Sequence, residues 1–174
     1  MHKDELWQEY GTTGLPLEGI GHPKASFGGI CGAINVWFYH DTPSGREILF
    51  QKRSAIVDHN PNKWDSSAGG HINLDESPIE ATVRESREEI GATVNPDKLV
   101  FVFSSQSFLY NFIAHIYLYE WTGSNEFSFD DTEVAEVRWV PVTDARDFIK
   151  NHVKSNLASL DWYWELLFLS LAHL

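Results

Sequence analysis

Residues 69–92, GGHINLDESPIEATVRESREEIGA, constrain this chain more than any other stretch, because both ends of a helix are spelled out in them. Ser77, Pro78, Ile79 and Glu80 make a capping box with proline at the first helical position, and Gly91 stands where a left-handed residue closes a helix. The spacing predicts a helix over 78–90. At about 100° per residue, Ile79, Val83, Ser86 and Ile90 fall within an arc of roughly 60°, and Glu85, Glu88 and Glu89 fall on the opposite side within roughly 100° of one another. The first arc is expected to face a core, and the second to form an acidic stripe. A solvated face is the ordinary fate of glutamates on a helix. Crowding argues against it here, since like charges three and four residues apart repel by a few tenths of a kcal/mol each, and Arg84 pairs best with one of them, Glu88. Uncompensated carboxylates suggest a cation, and an all-oxygen donor set suits Mg²⁺ or Mn²⁺.

Composition bounds what such a helix is embedded in. The chain has 174 residues, 43% of them hydrophobic, with seven tryptophans and eleven phenylalanines, enough for one domain with its own core spanning 1–174. The formal charge of −12 opposes nucleic-acid polymers and anionic membranes, so an anionic substrate is expected to arrive with a metal. The one cysteine, Cys31, forms no internal disulfide, and the start, MHKDELWQEYGTTG, has no apolar core of a secretory signal; the cytoplasm is the expected compartment. The most apolar stretch, LDWYWELLFLSLAHL, is short and holds Asp161 and Glu165, which fits a helix packed on a sheet, or in a homodimer, better than a membrane span.

Residues 1–30 look irregular around a short hairpin. ICGAINVWFYH and REILFQKRS, joined by DTPSG, form a hairpin signal; KLVFVFSSQ, FIAHIYLYEWTG and EVAEVRWVPV are further strands. The stretch 54–68 looks like a loop, with Trp64 in it covering the core or stacking on a substrate. Thr143 and Asp161 are expected to cap helices within 143–174. Strands with a few helices between and after them indicate an α+β or mixed α/β sandwich.

Gly70, Glu76, Arg84-Glu85, Glu88-Glu89 and Gly91 resemble the Nudix box, G-x5-E-x7-R-E-U-x-E-E-x-G-U, in which U is a bulky aliphatic residue. All seven fixed positions match within 70–92, and Ser86 and Ala92 depart from it at the aliphatic positions. DELWQEY, VWFYH, ILFQKRS, KWDSSAGGH and EVAEVRWVPV resemble the subgroup related to isopentenyl diphosphate isomerase. The resemblance implies a mixed β-sheet between helices and Mg²⁺-dependent attack of water on a diphosphate carried by another moiety, such as a nucleoside diphosphate derivative. It implies metal binding by Glu85, Glu88, Glu89 and the carbonyl of Gly70, with Arg84 holding the carboxylates and Glu76 bracing the loop. Glu85 or Glu133 is the expected base.

Among other substrate contacts, Arg53 is a candidate for a phosphate, because its planar fork pairs with two oxygens while Lys52 points away; an ordinary salt bridge is the alternative. His71 is a weaker candidate. Two other functions compete. The isomerases resembled here carry a catalytic cysteine where this chain has Gly69 and a metal-binding histidine where it has Cys31, and His22 alone does not restore that set. A non-catalytic nucleotide-binding module usually loses box carboxylates, whereas this chain keeps them all. Hydrolysis of a small organic diphosphate is therefore favoured.

Overall fold

The computed structural model describes residues 6–23, 29–107, 111–124, 126–129, 132–153 and 155–174. Among the described residues nine strands form one mixed sheet: β1 (Leu6–Tyr10), β2 (Pro16–Pro23), β3 (Ile30–Thr42), β4 (Gly45–Arg53), β5 (Trp64–Asp65), β6 (Ala68–His71), β7 (Val100–Ser107), β8 (Phe112–Glu120) and β9 (Val134–Pro141). The helices are α1 (Pro78–Ile90), α2 (Val142–His152), the single-turn α3 (Ser155–Ala158) and α4 (Asp161–Ala172).

The thirteen-residue β3 organises the sheet. Along one edge it pairs in parallel with β8, from Cys31–Phe112 to Tyr39–Glu120. Along the other it pairs successively with β1, β6 and β4, all antiparallel. Between β6 and β4 the neighbours of β3 change, and the gap is filled by the fully buried Ser67, whose Oγ accepts from the Phe38 N–H at 2.8 Å and donates to the Leu49 carbonyl at 2.6 Å. Backbone groups stranded where strands part would otherwise be buried unpaired, which the fold avoids with one hydroxyl.

Alternation along the strands gives the sheet two apolar faces. Ile34, Val36, Phe38, Leu49 and Tyr117 pack toward Ala81 and Ile90 of α1. Trp37, Ile48, Phe50, Ile116 and Leu118 pack toward Ile149 of α2 and Tyr163, Trp164 and Leu167 of α4. The chain is thus a mixed sheet between helices, as the sequence suggested. Its long apolar C-terminal stretch is a helix on the sheet, with Trp162, Leu166 and Leu169 turned outward. No helix among the described residues is long and apolar enough to cross a membrane.

Several local expectations need correction. The hairpin expected in the N-terminal segment is the antiparallel pair β1 and β2, but it is not set in an irregular extension: it joins the sheet through β1 to β3. The 54–68 stretch contains a short strand, β5, paired with β4, and runs into β6. Neither Thr143 nor Asp161 is a cap; α2 begins one residue earlier, after Pro141, α4 begins at Asp161 itself, and neither N-terminus has a side-chain cap.

Candidate active site

Helix α1 starts and stops where its sequence requires. Ser77 accepts from the Glu80 N–H, Glu80 returns the bond to Ser77, and Gly91 adopts φ 68° with its N–H on the carbonyl of Arg87. Its orientation differs from the apolar pattern. The buried residues are Ala81, Thr82, Ser86, Glu89 and Ile90, whereas Ile79 is 41% exposed. The helix is therefore rolled toward its carboxylates, and Glu89, expected on the outer stripe, faces the sheet with 6% of its surface exposed. Ser86 fits a fully buried position because its hydroxyl donates back to the Thr82 carbonyl at 2.7 Å.

The roll brings α1 against β6. The Glu89 Oε2 accepts from the Gly69 N–H at 2.8 Å and from Gln51 Nε2 at 3.0 Å. Glu85 lies on Gly70, where any side chain would overlap its carboxylate. A glycine at 70 is thus a steric condition for Glu85 to reach the sheet, while a side chain at 69 would meet Asn35 and the Ile34 carbonyl. Glu88, at the outer edge of the helix, stays exposed.

Arg84 ties the helix to the preceding loop. Its Nε and Nη2 bind the two oxygens of Glu76 at 2.8 and 2.9 Å, Nη1 reaches Glu85 at 2.7 Å and Glu88 at 3.2 Å, and Nη2 also donates to the His71 carbonyl at 2.9 Å. The expectation that it serves Glu88 alone is corrected: the planar fork spans three carboxylates, with its shortest bonds to Glu76 and Glu85. Glu76 also accepts from the Asn73 N–H at 2.9 Å, which fixes the turn between β6 and α1.

Burial works against the charge on Arg84, but its bonds to Glu76 and the Glu85 charge outweigh this and raise its pKa. For the glutamates the balance is reversed. Burial pushes Glu85 up to about 7, against the pull of Arg84 and with help from Glu88 and Glu133. Burial also raises Glu89 well above the ordinary carboxylate range, with the charges of Glu85, Glu133 and Asp65 adding to it and the Gly69 N–H opposing. Arg84 offsets only part of the cost of ionising Glu85.

The remaining sequence candidates divide by sheet face. Leu49 and Gln51 lie on the α1 side of β4, and the register with β9 shifts between Lys52 and Arg53. Arg53 Nε donates to the His59 carbonyl at 2.9 Å, so its guanidinium rests on the 59–63 loop, and it forms no ion pair with a box glutamate. Glu133 is exposed just before β9; its carbonyl accepts from the Ser54 N–H at 2.9 Å, and its charge reaches both Glu85 and Glu89. The His71 ring stacks on Trp7 at 3.6 Å. Of the two readings of Trp64 the core one holds, and the stacking on a substrate does not: it is 5% exposed on the far face, edge-on to Phe148 and under the Arg138 guanidinium. The side chain of His22 lies outside the described residues.

Two residues near the glutamates carry no signal in the motif. Gln51 and Asp65 oppose each other across β4 and β5, on one face, and both are buried. A polar side chain at an inward position of an otherwise apolar strand was the available clue.

Among the described residues no three His, Cys, Asp or Glu side chains already converge as a closed ligand set, because Glu85 is drawn to Arg84 and Glu89 to Gly69 and Gln51. The donor chemistry nevertheless fits a hard divalent cation: the groups present are carboxylate and backbone oxygens, and burial makes each carboxylate costly to ionise without a counter-ion.

The NUDIX domain family model matches residues 32–163. An isopentenyl-diphosphate Delta-isomerase of Aliivibrio fischeri is 30% identical over 131 residues, 71% of this chain and 70% of that protein. Nudix hydrolase 3 of Arabidopsis thaliana is 29% identical over 128 residues, 67% of this chain but 16% of the longer relative. The crystal structure of DR0079 from Deinococcus radiodurans superposes with a TM-score of 0.72 at 18% identity, covering 90% of this chain and 96% of that one. The chain belongs to the Nudix family, whose enzymes act on diphosphate-containing substrates.

Proposed function

We propose that the chain hydrolyses a small organic diphosphate, such as a nucleoside diphosphate derivative, with Mg²⁺ or Mn²⁺ held by Glu85, Glu88, Glu89 and the carbonyl of Gly70. The observation that carries this is the buried Glu89 and the half-buried Glu85 facing the two glycines of β6, with Glu89 on the Gly69 N–H and Glu85 in the space a side chain at 70 would need. The ion, when bound, neutralises charge on the diphosphate and makes water a better nucleophile. Arg84 and the Gly69 N–H orient the two carboxylates. Glu85 or Glu133 takes the proton of the attacking water as a new P–O bond forms and the bridging P–O bond breaks, leaving a monophosphate and a phosphorylated remainder. Arg53, whose Nε donates to the His59 carbonyl, is the proposed contact for a phosphate of the substrate.

Isomerisation is the second reading, favoured by the similarity to isopentenyl-diphosphate isomerases. The geometry at Gly69 weighs against it. A Cβ there would fall 2.7 Å from Asn35 Oδ1 and 3.0 Å from the Ile34 carbonyl, so the cysteine that the isomerases carry at this point has no space. Cys31 is buried, and burial raises its thiol pKa, which does not suit it to replace a histidine ligand.

The test is a substrate panel of nucleotide sugars, dinucleotides, nucleoside triphosphates and isopentenyl diphosphate with Mg²⁺ or Mn²⁺, read by phosphate release and product mass. Cleavage of a diphosphate is the expected result. Conversion of isopentenyl diphosphate to its isomer with no cleavage anywhere would establish the second reading instead. Binding of nucleotides without turnover of any compound would leave a non-catalytic module.

A further inference from the structure

Gln51 lies inside an ordinary strand signal, yet its surroundings are those of a ligand. It points to the α1 side of β4, is 2% exposed, and donates from Nε2 to Glu89 Oε2 at 3.0 Å. The oxygen of the same amide, Oε1, is buried and has no hydrogen-bond partner among the described residues. Buried polar atoms rarely stay unpaired in folded proteins. Turning the amide over gives no remedy while Glu89 is ionised, because it would set oxygen against oxygen. The orphan acceptor therefore belongs beside the carboxylates and requires something positive or a donor.

We propose that Gln51 Oε1 is an oxygen ligand of the divalent cation seated by Glu85 and Glu89, while Nε2 of the same amide keeps Glu89 turned toward that ion. The proposal rests on the cation site described under the proposed function. Side-chain amide oxygens are ordinary ligands of hard cations. A neutral ligand also suits this position, since another carboxylate would add to the mutual repulsion of Glu85, Glu89, Glu133 and Asp65. Both ends of one planar group are then used, one on the protein and one on the ion, so that occupation of the site fixes the orientation of Glu89.

The test is calorimetric titration of Mn²⁺ into the wild-type chain, Gln51→Met, Gln51→Glu and Glu85→Gln, with circular dichroism to confirm folding. Methionine removes the donor and the oxygen together; glutamate keeps an oxygen for the ion but cannot donate to Glu89. The expected result is at least a tenfold weaker Mn²⁺ affinity in Gln51→Met and a clearly smaller loss in Gln51→Glu, which keeps the oxygen ligand but not the bond to Glu89. An unchanged affinity in Gln51→Met overturns the proposal, and so does an equal loss in both variants, which would make the amide only a holder of Glu89. Should either variant fail to fold, a crystal structure of the wild-type chain with Mn²⁺ decides: Oε1 within about 2.3 Å of the ion supports the assignment, and a separation beyond about 3 Å removes it. Loss of binding in Glu85→Gln beside intact binding in Gln51→Met would leave the cation site standing without Gln51. No Mn²⁺ binding by the wild-type chain would defeat both.

Discussion

The carboxylate of Glu85 rests on the backbone of Gly70, so that no side chain fits at position 70 while Glu85 keeps its place. Gly70→Ala is expected to displace a side-chain end rather than backbone. Mg²⁺ affinity should fall about tenfold or more while the thermal midpoint moves by only a few degrees. Titration calorimetry and a melting curve on the same preparation check both halves.

Arg84 spans Glu76, Glu85 and the His71 carbonyl, and its removal leaves partly buried carboxylates without a partner. Breaking such a pair from one side costs on the order of 3 kcal/mol. Arg84→Ala should lose about that much in urea unfolding without metal. Arg84→Lys should recover only part of it, because an ammonium cannot reproduce the two-point contact with Glu76. Full recovery by lysine would show that charge alone matters at this position.

Stability without metal should depend on pH with an unusual sign. Glu85 is raised from 4.5 to about 7 in the folded chain, and burial raises Glu89 in the same direction. Over this window the folded state holds protons that the unfolded state has released, so unfolding free energy falls as pH rises from about 4.5 toward 7 and beyond. For Glu85 the full change is about 3 kcal/mol. Urea titrations in EDTA at several pH values should show the fall, and Glu85→Gln should flatten it. With saturating Mg²⁺ the trend should weaken or reverse, because the ion binds the ionised carboxylates.

Tyr163 sits fully buried beneath the sheet, with its hydroxyl accepting from Trp37 Nε1 at 2.7 Å. Tyr163→Phe leaves the indole N–H unpaired in the core and should cost about 1–3 kcal/mol. Turnover per folded molecule should be unchanged, since the bond lies on the face opposite α1. Denaturation and a rate normalised to folded protein separate the two effects.

The site was more legible in the sequence than its exact placement. The capping box at Ser77 and the left-handed Gly91 bound α1 in the sequence as they do in the fold. The roll of the helix was hidden, since periodicity counts apolar residues and cannot tell a carboxylate bound to Gly69 and Gln51 from one facing water. Ile79 was consequently assigned inward and Glu89 outward. Gln51 and Asp65 are adjacent only through the pairing of β4 with β5, a contact between strands that the loop-like 54–68 composition concealed. The strands of the central sheet were visible from β-branched and aromatic runs, whereas Thr143 and Asp161 show that a capping residue type near a helix start does not by itself set the start.

Whether Glu85 seats a divalent cation required for hydrolysis is decided by a Mg²⁺ titration of Glu85→Gln against the wild-type chain, paired with turnover of whichever diphosphate the panel identifies. The predicted result is a loss of about two orders of magnitude in both affinity and rate, with a metal-free fold at least as stable as the wild type because a neutral amide replaces a strained carboxylate. Mg²⁺ affinity and turnover that survive unchanged in Glu85→Gln would contradict it.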